Sequence, residues 1–215
     1  MLQVFLVSND FARALISYAR PKMSTFLRVL KDTAVRPMEA WRLKWLDIDV
    51  TIRAMSVTPA KYSHARKQKV SEQTLNMLLA LPRKNQYVFS VSGKPERFEE
   101  ELEHYARNFK KQVRRVAKKL QNPRLNLISL KTFRHWKATM LYHQTKDILY
   151  VKEFLGHKNI ANTLRYVHLA NAFASVEDGY ICKTAETVQD CSELIEKGFE
   201  YVNEMEGVAL YRKRK

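Results

Sequence analysis

Between residues 96 and 121, Phe98, Leu102, Tyr105, Phe109, Val113, Val116 and Leu120 recur at steps of three and four. That spacing predicts one long helix with a single apolar stripe, around which the rest of the chain must arrange itself. Glu96, Glu99, Glu100, Glu101 and Glu103 crowd its start. Lys110, Lys111, Arg114, Arg115, Lys118 and Lys119 crowd its end, a polarity that suits the helix dipole.

Only five glycines occur in 215 residues, so the remainder also reads as mostly helical. Two short helical patterns flank Pro21 within residues 8–31, and a further helix is predicted from Pro37 to Leu46, with proline in its first turn. The texture then changes. Residues 47–70 are rich in Val, Ile and Thr, with candidate strands near 47–50, 54–58 and 66–70. Helix returns over 71–81, where Ser71 can cap. Shorter helices are predicted near 129–143, 147–155 and 159–166. Gly156 stands where a C-terminal cap belongs, and Asn159 can cap the next helix. Residues 187–198 look helical, and the end of the chain reads as a hairpin turning at Glu206–Gly207.

Hydrophobic residues make up 46% of the chain, enough for a real core. No run of 18 apolar residues occurs, which argues against a membrane helix. The apolar start lacks a basic leader and is read as the first elements of the fold. Cys182 and Cys191 are the only cysteines, and no Cys/His spacing resembles a zinc site, so no metal is expected. A reducing, cytoplasmic compartment fits. The charge balance is far from neutral: 38 Lys and Arg against 22 Asp and Glu give +16. A polyanion relieves that self-repulsion through counterion release, so nucleic acid is the leading partner. A generally basic soluble protein is the plainer reading. On the first, Lys110, Arg114 and Lys118 lie along DNA phosphates; on the second they form a solvated face.

Breaking a phosphodiester without metal needs a nucleophile, cationic donors for the non-bridging oxygens and an acid for the leaving oxygen. Arginine suits the second task because its planar fork bonds phosphate in a bidentate way. In residues 130–169, Lys131 and Arg134 are three apart on a predicted helix and project from one face. Phe133, Trp136 and Met140 fall toward the core. His157 follows Arg134 by 23 residues in a short loop, and Tyr166 follows nine later.

Leu155-Gly156-His157 and Thr163-Leu164-Arg165-Tyr166 resemble the C-terminal motifs of tyrosine recombinases, the family of lambda integrase, Cre and Xer. Residues 33–49, TAVRPMEAWRLKWLDID, resemble the same family's first arginine segment. The resemblance covers about residues 8–170. It implies a mainly α-helical fold with a small three-stranded antiparallel sheet. It also implies a cofactor-free, metal-free DNA recombinase. In that reading Tyr166 is the nucleophile, and Arg36, Arg134, His157 and Lys131 bind the phosphate. Lys61, with Lys67 and Lys69 as rivals, protonates the leaving oxygen, and Glu39 is a structural acid.

Two departures stand out. Lys131 replaces the family's usual histidine, as in integrases of archaeal viruses and plasmids. The family's N-terminal core-binding domain is expected to be absent, leaving a catalytic domain at 1–175 and a helix–hairpin appendage at 176–215. The expected partners are double-stranded DNA and further copies of the chain, forming a tetramer at synapsis. Type IB topoisomerase-like relaxation and a non-catalytic DNA-binding remnant remain alternatives.

Overall fold

The computed structural model describes residues 9–60, 63–174, 180–205 and 208–214. Proline marks where several helices begin. After α1 (Asn9–Ser17), Pro21 opens α2 (Pro21–Thr33) and Pro37 opens α3 (Pro37–Trp41). Its fixed φ suits the first turn, where its missing N–H is not needed. The middle of α2 buries Met23, Phe26, Leu27, Val29 and Leu30. It ends at Ala34, held left-handed at φ 51°. Alanine there costs about 1 kcal/mol relative to glycine.

The helix predicted from Pro37 to Leu46 stops at Trp41. The Leu43 carbonyl accepts from the Val88 amide at 2.9 Å, and the Trp45 amide donates to the Gln86 carbonyl at 3.1 Å. Those groups pair with a distant segment, so they cannot continue a helix. The expected strands form at β1 (Ile48–Asp49), β2 (Ala54–Val57) and β3 (Arg66–Lys69). They pair antiparallel in the order β1-β2-β3, with Met55 opposite both Ile48 and Gln68. Ser71 caps α4 (Glu72–Leu79) by accepting from the Thr74 amide. Asp32 at the end of α2 takes the Ser71 hydroxyl at 2.6 Å and so ties that cap to the core.

The long helix is α5 (Phe98–Lys119). Phe98, Phe109, Val113 and Val116 of its stripe are buried, whereas Leu120 lies past the last turn and is exposed. Glu101 goes beyond the dipole argument: it accepts from Trp41 Nε1, the Ser90 hydroxyl and the Ser92 amide at 3.1, 2.8 and 2.7 Å. Then come α6 (Leu130–Thr145), α7 (Ile148–Leu155) and α8 (Ala161–Ala174). Gly156 caps α7 at φ 69°, and Asn159 Oδ1 accepts from the Ala161 amide at 2.8 Å.

The chain divides into two compact units, residues 1–170 and 171–215. The second unit contains β4 (Tyr180–Ala185), α9 (Val188–Glu196), β5 (Glu200–Met205) and β6 (Val208–Arg214), with sheet order β4-β6-β5. The sequence reading anticipated the helix and the hairpin strands but not β4, which is a strand because β6 pairs with it. Glu206 and Gly207, the predicted turn, lie outside the described residues. Leu194, Ala185, Ala209 and Tyr211 form this unit's small core.

In the first unit, Phe26 has no exposed surface and meets Trp41, Phe89 and Tyr105 edge-on, with ring centroids 5.7, 4.9 and 5.2 Å apart. The edges of such rings favour each other's faces, so the cluster stabilises beyond its buried area. Phe26→Ala is expected to destabilise this unit by roughly 3–5 kcal/mol, read as a lower urea midpoint at an unchanged slope.

Candidate active site

Glu39 sits at the third position of α3 and its side chain is wholly buried. Its carboxylate accepts from the Arg36 amide at 2.8 Å, Arg36 Nη1 at 3.2 Å and the Ser63 hydroxyl at 2.8 Å. Arg66 Nη2 approaches at 2.7 Å. Burial alone would raise the carboxyl, but Arg66, the Arg36 amide and Ser63 outweigh it and hold it down to about 2. The structural acid thus orients Arg36, whose side chain keeps 30% exposure. Arg66 was missed by the sequence reading, which weighed its neighbours Lys67 and Lys69. Alternation along β3 decides between them: Arg66 points to Glu39, while Lys67 and Lys69 are exposed.

Arg66 also explains Gly156. A Cβ there would stand 2.8 Å from Arg66 Nη1 and 3.1 Å from the His64 carbonyl, so both the space and the φ of 69° require glycine. The His64 amide donates to the Gly156 carbonyl at 3.0 Å, and Ser63 pairs with His157. The first sheet is thereby fastened to the turn that carries His157.

Arg134 is 6% exposed. It donates to the Ala34 carbonyl at 2.6 Å, the Leu155 carbonyl at 2.9 Å and His157 Nε2 at 3.0 Å. The two carbonyls belong to the ends of α2 and α7, where free acceptors and negative dipole ends meet a cation. Burial, with Arg36 nearby, lowers the guanidinium to about 10, still charged at neutral pH. The sequence reading put Lys131 and Arg134 on one face. They part company: Arg134 is drawn inward by these carbonyls, and Lys131 is exposed in the first turn of α6.

His157 is 7% exposed, and its Nδ1 lies 2.9 Å from the Thr163 hydroxyl. Burial, with Arg134 and Arg36 close by, pushes it down to about 4, so the ring is neutral at pH 7. Arg134 can only donate, so Nε2 is the acceptor and Nδ1 carries the hydrogen toward Thr163. Tyr166 is 2% exposed, with its ring nearly parallel to that of His157 at 6.5 Å. Burial raises its phenol, while Arg134, Arg165 and Arg36 pull the other way. Its hydroxyl lies 3.1 Å from Nδ1 of His135, one residue past Arg134. The sequence reading passed over His135; its place beside Arg134 was the available signal.

Arg36, Arg134, His157 and Tyr166 are therefore gathered around one locus. Lys61 lies outside the described residues; Ser63, two residues on, binds Glu39. On α5, Lys110 is partly buried and donates to the Asn126 carbonyl at 2.9 Å, while Arg114 and Lys118 are exposed. The opposite flank was not singled out. Lys111, Arg115 and Lys119 line a groove of about 720 Å³ with Arg20 and Lys22.

The fold recurs in solved structures. XerA recombinase matches with a TM-score of 0.59 and 24% identity, over 81% of this chain and 64% of that one. The Tn1549 transposon integrase, in a complex with circular intermediate DNA, matches with a TM-score of 0.61 and 14% identity, over 89% and 65%. This is the fold of tyrosine recombinase catalytic domains. The chain belongs to the phage integrase family, whose sequence profile matches residues 8–172. A probable integrase/recombinase protein of Methanocaldococcus jannaschii is 28% identical over 169 residues. That match covers 75% of this chain and 50% of the relative, so the chain spans about half the relative's length.

Glu39 yields a pH prediction. Its folded value near 2 is below the reference 4.5, so its contribution is present above pH 4.5 and is lost as pH falls toward 2. The shift corresponds to on the order of 3 kcal/mol. The stability gap between the parent and Glu39→Gln, taken from urea midpoints, should shrink by about that amount between pH 6 and pH 2.

Proposed function

We propose that this chain is a site-specific recombinase that cleaves and rejoins double-stranded DNA through a 3′-phosphotyrosyl bond to Tyr166. The observation that carries the reading is the grouping of the Tyr166 phenol with Arg134, Arg36 and neutral His157. Arg36 and the uncommitted N–H groups of Arg134 hold the non-bridging oxygens as charge builds on them. His157 supports Arg134 at Nε2, and Lys131, exposed on the same helix as Arg134, adds a further cation. Lys61 protonates the departing 5′ oxygen. The covalent bond retains the phosphodiester energy, so no nucleotide cofactor is needed for rejoining.

The net charge of +16 supports DNA as the partner, with Arg114 and Lys118 of α5 on its phosphates. We further propose a homotetramer at synapsis, a cytoplasmic place of action on cellular DNA, and an assembly role for residues 176–215. No described helix is long and apolar enough to cross a membrane. The arrangement of the acid and the arginines serves supercoil relaxation as well, and exchange between two marked duplexes separates the activities.

A nicked suicide substrate traps the covalent intermediate, which a denaturing gel resolves. The parent should form an adduct and Tyr166→Phe none, with DNA affinity within about twofold, since only the phenol oxygen is lost. An adduct in Tyr166→Phe would move the nucleophile elsewhere. Arg114→Ala with Lys118→Ala should flatten the log–log salt dependence of DNA binding by roughly 2, about 0.9 per lost phosphate contact. An unchanged slope would return both side chains to a merely solvated face.

A further inference from the structure

The phenol of Tyr166 must shed a proton as its oxygen attacks, and burial makes that harder by raising its pKa. Arg165 and Arg36 also act on the phenol, but as guanidiniums they can only donate; four groups of the proposed site are left to compare as acceptors. Arg134 acts on the phenol electrostatically but has no lone pair to offer. The exposed ammonium of Lys131 has none either. His157 has both ring nitrogens engaged, Nε2 by Arg134 at 3.0 Å and Nδ1 by Thr163 at 2.9 Å. Accepting a proton at Nε2 would set two cations against each other at hydrogen-bond distance. The fourth group is His135, whose Nδ1 lies 3.1 Å from the phenol oxygen.

We propose that His135 is the proton acceptor for Tyr166, an inference that rests on the reading of Tyr166 as nucleophile. In this role the phenol hydroxyl is the donor and Nδ1 of His135, 3.1 Å away, the acceptor, so His135 keeps its own hydrogen on Nε2. His135 is half-buried on α6, exactly one turn past Lys131 and adjacent to Arg134, with Arg165 and Tyr166 facing it from α8. Burial and the cations Arg165, Arg134 and Lys131 keep the ring unprotonated at neutral pH. An arriving phosphodiester offsets those cations and makes the ring a better base.

The step balances. The Tyr166 O–H bond breaks and an N–H bond forms at Nδ1. The phenol oxygen bonds phosphorus as the bond to the 5′ oxygen breaks, and that oxygen takes a proton from the acid assigned to Lys61. On resealing, a 5′ hydroxyl returns its proton to the group assigned to Lys61 as its oxygen bonds phosphorus; the bond from phosphorus to the phenol oxygen breaks, and Tyr166 leaves with the proton held by His135.

The test is single-turnover cleavage of the nicked suicide substrate by the full chain, followed from roughly two pH units below neutrality to two above. His135→Asn keeps a polar group of similar reach that cannot take up the proton, and His135→Ala opens space for added imidazole. Both variants should bind DNA like the parent and cleave on the order of 10²-fold more slowly at pH 7. Their rates should keep climbing with pH where the parent levels off, and imidazole should restore His135→Ala. A parent-like rate and profile in His135→Asn would overturn the proposal. So would a loss equal at every pH and unmoved by imidazole, which would make His135 a positioning residue. Neither result touches the nucleophile, because Tyr166→Phe reports on that separately. An adduct in Tyr166→Phe, or none in the parent, would overturn the underlying reading and this one with it.

Discussion

A single carboxylate inside the first unit sets the position of much around it. Glu39 has no exposed side-chain surface, and a charge so placed must be met from several directions. The amide and guanidinium of Arg36, the Ser63 hydroxyl and Arg66 answer it. These come from the turn after α2, the segment before β3 and β3 itself. Arg66 in turn closes against Gly156, and the Gly156 turn delivers His157 to Arg134. Removing one partner of such a buried pair generally costs about 3–5 kcal/mol, because the other charge is stranded.

Around that acid, cations outnumber anions. Arg36, Arg66, Arg134 and Arg165 all act on the electrostatics of His157, and Arg134 is lowered by Arg36 and Arg66. The mutual repulsion is tolerated because Arg134 is held by carbonyl dipoles and Arg66 by Glu39. A phosphate group bound there, as proposed, would relieve the remainder, since an anion offsets clustered cations.

What was legible in the sequence was what local chemistry decides. The stripe of α5, the Ser71 cap and the Gly156 cap each depend on residues within a few positions. The motifs around Arg36, Arg134, His157 and Tyr166 were legible through resemblance, and these four residues do converge. The rest depends on distant partners. The early end of α3 follows from pairing with residues 86–88, and β4 exists through β6. Arg66 is chosen over Lys67 and Lys69 of the same strand by alternation toward an acid 27 positions away. His135 meets Tyr166 from 31 positions away, through the packing of α6 against α8.

Arg134 is anchored by the carbonyls of Ala34 and Leu155, and those oxygens are free only because α2 and α7 stop where they do. Where either helix end is not formed, Arg134 loses one of these two acceptors. The proposed hold of Arg134 on a phosphodiester thus depends on the fold that ends α2 and α7 where they end. For a chain proposed to sever DNA, that coupling would act as a safeguard: a copy that lost its fold would lose the placing of Arg134 with it.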